Sequence, residues 1–321
     1  MILVTGGLGF IGSHTVRALL DLGQGCVLVQ RRPAEVPADL ADEQVAVEQA
    51  DITDPGALLR VGERHEITGI VHLAGSMPWP PSSEQPVEQA RKAVGGLFNI
   101  VQAAQDWGVG RVGVASTIGV YAGIAGTGPL GAGEGPLRED MPVRMTAPHL
   151  IPTFKKIGEM LNDHLAGATG IDVVNYRISG TWGPRGHADP FFPAPAFVHA
   201  AVRGTRPDLS ALVQPAHLED SIDLCYVKDT ARAIALLQLT DRLNHRTYNV
   251  ASGRATTNAE VIAAIKQVVP DARIELPTGG TTEQNHLDIT RLHQDTGYKP
   301  EYDTERAAAD YIAWLRAGHQ Y

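Results

Sequence analysis

The chain has 321 residues, an apolar fraction of 43% and a formal net charge of -9, a size that fits one nucleotide-binding domain plus a smaller dependent lobe. An acidic chain with no basic stripe excludes nucleic acid as a partner. No apolar run approaches the roughly 20 residues of a membrane span, so no membrane partner is expected.

In chain order, residues 1–5 form an apolar run followed at once by glycines, and 11–22 show helical spacing. That is strand, tight turn, helix. A strand opening at Met1 leaves no room for a signal peptide, so the expected address is the cytoplasm. Further strands are expected at 26–29, 45–49, 69–73, 111–115 and 172–176, with helices at 87–107 and 155–166. Strands alternating with helices at this spacing predict right-handed crossovers: an α/β fold, a Rossmann doubly wound parallel sheet. Residues 122–148, rich in Gly, Pro and Ala, are too long for a plain connection and read as a lid or binding loop. From Trp182 onward prolines and short elements replace the alternation. The expected division is therefore a Rossmann domain over 1–178 and a smaller C-terminal substrate lobe over 179–321, with some of its elements returning to the sheet. The lobe ends in a helix over 304–316 whose Ala307, Ala308, Tyr311, Ile312 and Leu315 lie mostly on one face.

The strongest motif lies between the first strand and the first helix: Thr5-Gly6-Gly7-Leu8-Gly9-Phe10-Ile11-Gly12. Glycine here allows a tight turn, close approach of backbone N–H groups to a pyrophosphate, and helix–strand packing; the helix N-terminus then faces the anion. Gly6, Gly9, Phe10, Ile11 and Gly12 are the expected phosphate cradle. At the end of the second strand, where an NAD-selective protein carries an acid for the ribose 2′-hydroxyl, the residue is neutral Gln30, followed by Arg31 and Arg32. Guanidinium groups pair with a 2′-phosphate that an acid repels, so NADP is expected over NAD.

The opening TGGLGFIGSH resembles extended short-chain dehydrogenases/reductases, the NAD(P)-dependent epimerase/dehydratase family. Asp51-Ile52-Thr53-Asp54, His72-Leu73-Ala74-Gly75, Ser116-Thr117-Ile118-Gly119-Val120-Tyr121, Gly183-Pro184, Tyr226-Val227-Lys228-Asp229 and Tyr248-Asn249-Val250-Ala251-Ser252-Gly253 match in order. The resemblance implies that Asp51 and Ile52 lie at the adenine and that Leu73, Ala74 and Gly75 line the cofactor cleft. It also implies a Ser/Thr–Tyr–Lys set, in which tyrosine is the acid/base, lysine holds the nicotinamide ribose and lowers the tyrosine pKa, and Ser/Thr orients the substrate oxygen. Thr117 matches the hydroxyl position. Lys155 matches the lysine, with Glu159 four residues on. The tyrosine place holds Ile151, and shifting the lysine to Lys156 puts Pro152 there instead.

Isoleucine carries no proton, so three readings stay open. Tyr121, His149 or Ser116 replaces the tyrosine; or Thr117, Lys155 or the substrate manages the proton; or the chain is a catalytically degenerate nucleotide-binding regulator or scaffold. Polar residues that resembling enzymes use for nucleotide sugars are also replaced, by Ala93, Gly180 and Ile222. The expected substrate is thus a small hydroxyl or carbonyl compound other than a nucleotide sugar, met by Met77, Trp79, Arg177 and Trp182. The resemblance further implies a homodimer pairing through the helices at 87–107 and 155–166. No HxxxH or HxH spacing occurs and the two cysteines, Cys26 and Cys225, stand alone, so no metal site is expected.

Overall fold

A computed structural model of the chain describes residues 1–75, 85–122, 135–147, 149–186, 189, 191–280 and 286–319. The elements run β1 (Ile2–Thr5), α1 (Phe10–Asp21), β2 (Cys26–Gln30), β3 (Val45–Gln49), α2 (Pro55–Arg64), β4 (Gly69–His72), α3 (Pro86–Asp106), β5 (Arg111–Thr117), α4 (Leu150–Thr169) and β6 (Asp172–Ile178). They continue with β7 (Gly180–Trp182), α5 (Ala194–Arg203), β8 (Ser221–Tyr226), α6 (Val227–Leu239), β9 (Thr247–Val250), β10 (Ala255–Thr257), α7 (Asn258–Val268), α8 (Thr290–Thr296) and α9 (Thr304–Arg316).

Among the described residues the main sheet has seven strands in the order β3-β2-β1-β4-β5-β6-β9, and each neighbouring pair is parallel. The order reverses beside β1, which opens a crevice at the carboxyl ends of β1 and β4. Successive side chains of a strand point to opposite faces, and both faces are covered here. Ile2 and Val4 pack with Val16 and Leu19 of α1 and Ile234 and Leu237 of α6. Leu3 packs on the other side with Leu58 of α2 and Leu97, Ile100 and Val101 of α3.

Local signals explain several boundaries. Asp54 caps α2 by accepting from the Ala57 N–H at 3.1 Å, with Pro55 at the first helical position, where its missing N–H costs nothing. This amphipathic helix, which buries Leu58 and Val61, was not among the expected elements. Helix α4 begins at Leu150 rather than at 155, because Pro152 falls within its first turn, where proline is tolerated. Ile151 is therefore helical, as a tyrosine in that place would be.

After Ile178 the chain crosses to a three-stranded sheet, β10-β8-β7. A third core joins α5, α7 and α9 to it through Phe197, Val261, Ile265, Tyr311 and Ile312. It returns twice: α6 packs on α1, and β9 forms the edge of the main sheet. Asp223, fully buried in β8, ties the two parts together. It accepts from Ser252 N–H at 2.9 Å, Ser252 Oγ at 2.7 Å, Gly253 N–H at 3.1 Å and Leu287 N–H at 3.0 Å. Both cysteines are free and buried, and burial pushes the Cys26 thiol up to about 12, which makes them inert apolar fillers.

Candidate functional site

The cradle has the geometry its glycines predict. Gly6 adopts φ +73°, and a Cβ there would lie 3.1 Å from the backbone nitrogen of Ala74. A Cβ on Gly12 would come 2.0 Å from the Gly6 carbonyl oxygen, so α1 can sit this close to the turn only with glycine at position 12. Gly9 is the N-cap and offers no side chain to the helix. The first N–H groups of a helix have no carbonyl partner inside it, so the Phe10–Ile11 turn presents donors where a pyrophosphate would bind. The structure fits a dinucleotide.

Gln30 has a role the sequence did not announce. With its amide oxygen turned to the cradle, it accepts from the N–H groups of Gly7 at 3.2 Å and Leu8 at 3.0 Å. It therefore clamps the turn, while Arg31 and Arg32 just beyond it stand exposed to solvent. Asp51 is folded into a turn, accepting from Thr53 N–H at 2.9 Å and Thr53 Oγ1 at 2.8 Å. Its carboxyl is held below the usual range: burial opposes this, but the Thr53 bonds, Arg31 and Lys92 prevail. Asn99 of α3 donates to the Ile52 carbonyl at 2.8 Å and fixes the neighbouring residue.

An open cleft lies between the sheet and α3–α4, bordered by Ile52, Ala74, Gly75, Lys92, Ser116, Lys155 and Glu159. It brings together part of the expected set. The Lys155 ammonium donates to the Ala115 carbonyl at 2.7 Å. Burial drives it down to about 8, against the pull of the Glu159 carboxylate. Lys92 was not an expected site residue; its one signal was its place four residues before Gly96, on the same face of α3. His72 borders the cleft as well. Thr5 Oγ1 accepts from the Ala74 N–H at 3.2 Å and lies 2.8 Å from His72 Nδ1. Burial, and secondarily Lys155, push His72 down to about 3. It is a neutral ring.

Other expected residues are placed elsewhere. Thr117 ends β5 and caps the turn after it, accepting from the Gly119 N–H at 3.2 Å. Ser116 borders the cleft, but its hydroxyl donates to Glu159 Oε1 at 2.5 Å. Tyr121 is fully buried: its hydroxyl donates to Asn249 Oδ1 at 2.7 Å and accepts from Arg177 Nη1 at 3.0 Å. Burial pushes it up to about 12. A hydroxyl engaged on both sides and away from the cleft is not positioned as an acid/base. His149 stands at the N-cap of α4, stacked on Phe191 with ring centroids 5.3 Å apart, also outside the cleft lining.

Two pocket expectations are corrected. Arg177 does not reach the cleft: its guanidinium is spent on Glu159, at 3.0 Å and 3.2 Å from Nε and 2.7 Å from Nη2. An unpaired guanidinium buried beneath the sheet would be far costlier than this pair. Trp182 is likewise core, edge-on to Tyr226 at 6.0 Å and Tyr311 at 6.4 Å, because β7 aims it into the second lobe. Met77 and Trp79 lie outside the described residues. No group of three or more His, Cys, Asp or Glu able to hold a metal occurs among the described residues, and none of their helices is long and apolar enough to cross a membrane.

Residues 2–251 match the model of the NAD dependent epimerase/dehydratase family. The chain belongs to that family. Membership sets it among NAD-dependent epimerases and dehydratases. A UDP-glucose 4-epimerase of Azospirillum brasilense is 28% identical, over 99% of this chain and 93% of its own. A dTDP-glucose 4,6-dehydratase of an Actinoplanes strain is 27% identical, over 100% of this chain and 99% of its own. The fold superposes on the Thermus thermophilus UDP-glucose 4-epimerase in complex with NAD with a TM-score of 0.76, at 24% identity and 99% coverage of both chains. These family relatives run against the expectation that nucleotide sugars are excluded. That expectation rested on Ala93, Gly180 and Ile222, which stand where resembling enzymes carry polar residues.

Proposed function

We propose that this chain is an NAD(P)-dependent epimerase or dehydratase-type enzyme that works at a hydroxyl-bearing carbon of its substrate, with NADP preferred over NAD. The bound nucleotide would supply a hydride acceptor and donor at the substrate carbon. The observation that carries this reading is the single cleft that sets Lys155 beside Ala74 and Gly75, next to an intact glycine cradle. A binding-only relic has no use for a half-buried lysine directed to that place.

The chain's own residues divide the work. Gly6, Gly9 and Gly12 with the Phe10–Ile11 turn hold the pyrophosphate. Asp51 and Ile52, braced by Thr53 and Asn99, border the adenine. Leu73, Ala74, Gly75 and Lys155 take the nicotinamide half. Arg31 and Arg32 are exposed and follow a glutamine that is occupied with the cradle, which leaves the ribose edge positive and without an acid. The relatives make UDP- and dTDP-hexoses the first substrates to try. A homodimer through α3 and α4 is supported by the outward apolar surface of Phe98, Ile157 and Met160, which are 44%, 38% and 56% exposed.

The test is fluorescence titration with NADPH and NADH, followed by incubation of the loaded protein with UDP- and dTDP-glucose and analysis for epimer or keto product. NADPH is expected to bind at least about tenfold tighter, roughly 1.4 kcal/mol. Neutralising Arg31 and Arg32 is expected to weaken NADPH far more than NADH. Equal losses for both nucleotides would sink the NADP preference, and no binding of either would sink the enzyme.

A further inference from the structure

We propose that Lys155 itself carries the substrate proton, in the role that a tyrosine at position 151 would have filled. The inference rests on the enzymatic reading above and names the group that performs its proton transfer.

The titratable side chains bordering the cleft, among the described residues, are His72, Lys92, Lys155 and Glu159. Three of them are committed. Glu159 accepts three hydrogen bonds from Arg177 and one from Ser116, which occupy both of its oxygens. His72 is tied to the Thr5 hydroxyl at 2.8 Å, and burial pushes it down to about 3, too weak a base to hold a proton near neutrality. Lys92 lies on α3 within electrostatic reach of the Asp51 carboxylate, on the adenine side. Outside the cleft, Tyr121 is closed by Asn249 and Arg177, and His149 is stacked on Phe191.

Lys155 is left. Its Nζ makes one hydrogen bond, to the Ala115 carbonyl. A neutral amine keeps that bond and still has a second N–H and a lone pair to turn toward the cleft. The titratable groups around it are the neutral His72 on β4 and the charged Lys92 on α3, Glu159 one turn along its own helix, and Arg177 of β6 behind Glu159. Glu159 favours the ammonium, and burial opposes it more strongly, bringing Lys155 to about 8. A group with that value is present in both forms near neutrality, which is what a reversible acid/base needs.

In the oxidising direction the substrate hydroxyl gives its proton to the Lys155 lone pair, and the O–H electron pair forms the C=O bond. A nicotinamide held by Leu73, Ala74 and Gly75 would supply the two-electron acceptor for the C–H pair leaving as hydride, so that oxidation of the substrate balances. The return step runs the same bonds backward, the Lys155 ammonium giving the proton back.

The test has two arms on the full chain. In the first, nucleotide-free protein is acylated with a trace amine reagent across pH 6–11, and the modification at Lys155 is quantified by mass spectrometry against exposed Lys266. Half-maximal reactivity of Lys155 is expected near pH 8, against about 10.4 for an ordinary lysine. An ordinary value for Lys155 overturns the proposal whether or not a substrate has been found. In the second, Lys155→Arg keeps a cation for the nicotinamide ribose but cannot release a proton at neutral pH. NADPH affinity is expected to stay within about threefold of wild type, while turnover falls by about 10²–10⁴-fold and its pH inflection disappears. Retained turnover with an unchanged inflection overturns the proposal. NADPH binding with no turnover of any hydroxyl substrate by the wild type sinks the enzymatic reading instead, and the proposal with it.

Discussion

Replacing Arg177 with methionine tests whether this residue is structural, as the geometry says, or a substrate contact, as its sequence position suggests. Arg177 is 5% exposed and Glu159 9%, and three hydrogen bonds of 2.7–3.2 Å join them. Two unit charges about 4 Å apart attract by about 4 kcal/mol at an effective dielectric constant near 20. Removing one member of a buried pair strands the other, and typically costs about 3–5 kcal/mol. The bond to the Tyr121 hydroxyl at 3.0 Å goes as well, adding about 1 kcal/mol. The variant should therefore lose about 4–6 kcal/mol in urea denaturation at pH 7. At about 2–4 °C per kcal/mol, its midpoint should fall by roughly 8–24 °C. Adding Glu159→Gln removes the stranded charge, so the double variant should recover at least about 1 kcal/mol relative to Arg177→Met alone. A loss below about 1 kcal/mol, strictly additive with Glu159→Gln, would refute the buried-pair reasoning. So would a variant of native stability whose only defect is a raised substrate KM.

Gly12→Ala should leave the sheet folded but force the cradle open, because its Cβ would sit 2.0 Å from the Gly6 carbonyl. An overpacking cost of about 1–3 kcal/mol converts to roughly 5–150-fold weaker NADPH binding, measured by calorimetry; unchanged affinity would contradict the close contact. His72 falls to about 3 in the folded chain, below the ordinary 6.5, so the unfolded chain binds the extra proton between these values. Its contribution to stability is present above pH 6.5 and is lost as pH falls, at about 1.4 kcal/mol per pH unit. Denaturation of His72→Gln should accordingly show a shallower acid slope than wild type between pH 6 and 4, and parallel slopes would rule this out.

Features set within one short segment were legible in the sequence. Backbone hydrogen bonding and side-chain periodicity are local, so the strand–glycine–helix opening, the alternation of β and α and the final helix could be read directly. The one-turn spacing of Lys155 and Glu159 was equally plain, as was the isoleucine at position 151. Glycine spacing likewise fixes a turn whose close contacts, Gly6 with Gly12, lie six residues apart.

What a polar side chain does was decided by the tertiary structure, because its partner comes from another strand or helix. Tyr121 has the position of a candidate acid/base, yet Asn249, 128 residues away, takes its proton. Arg177 becomes half of a buried pair only because β6 runs beside β5 under α4. Gln30, read as a missing acid, turns out to clamp Gly7 and Leu8 because β2 lies next to β1. Trp182 fills a core rather than a pocket for the same kind of reason. A hydroxyl, guanidinium or indole is reactive or structural according to what stands opposite it, and strand order, set by the packing of the whole chain, puts it there.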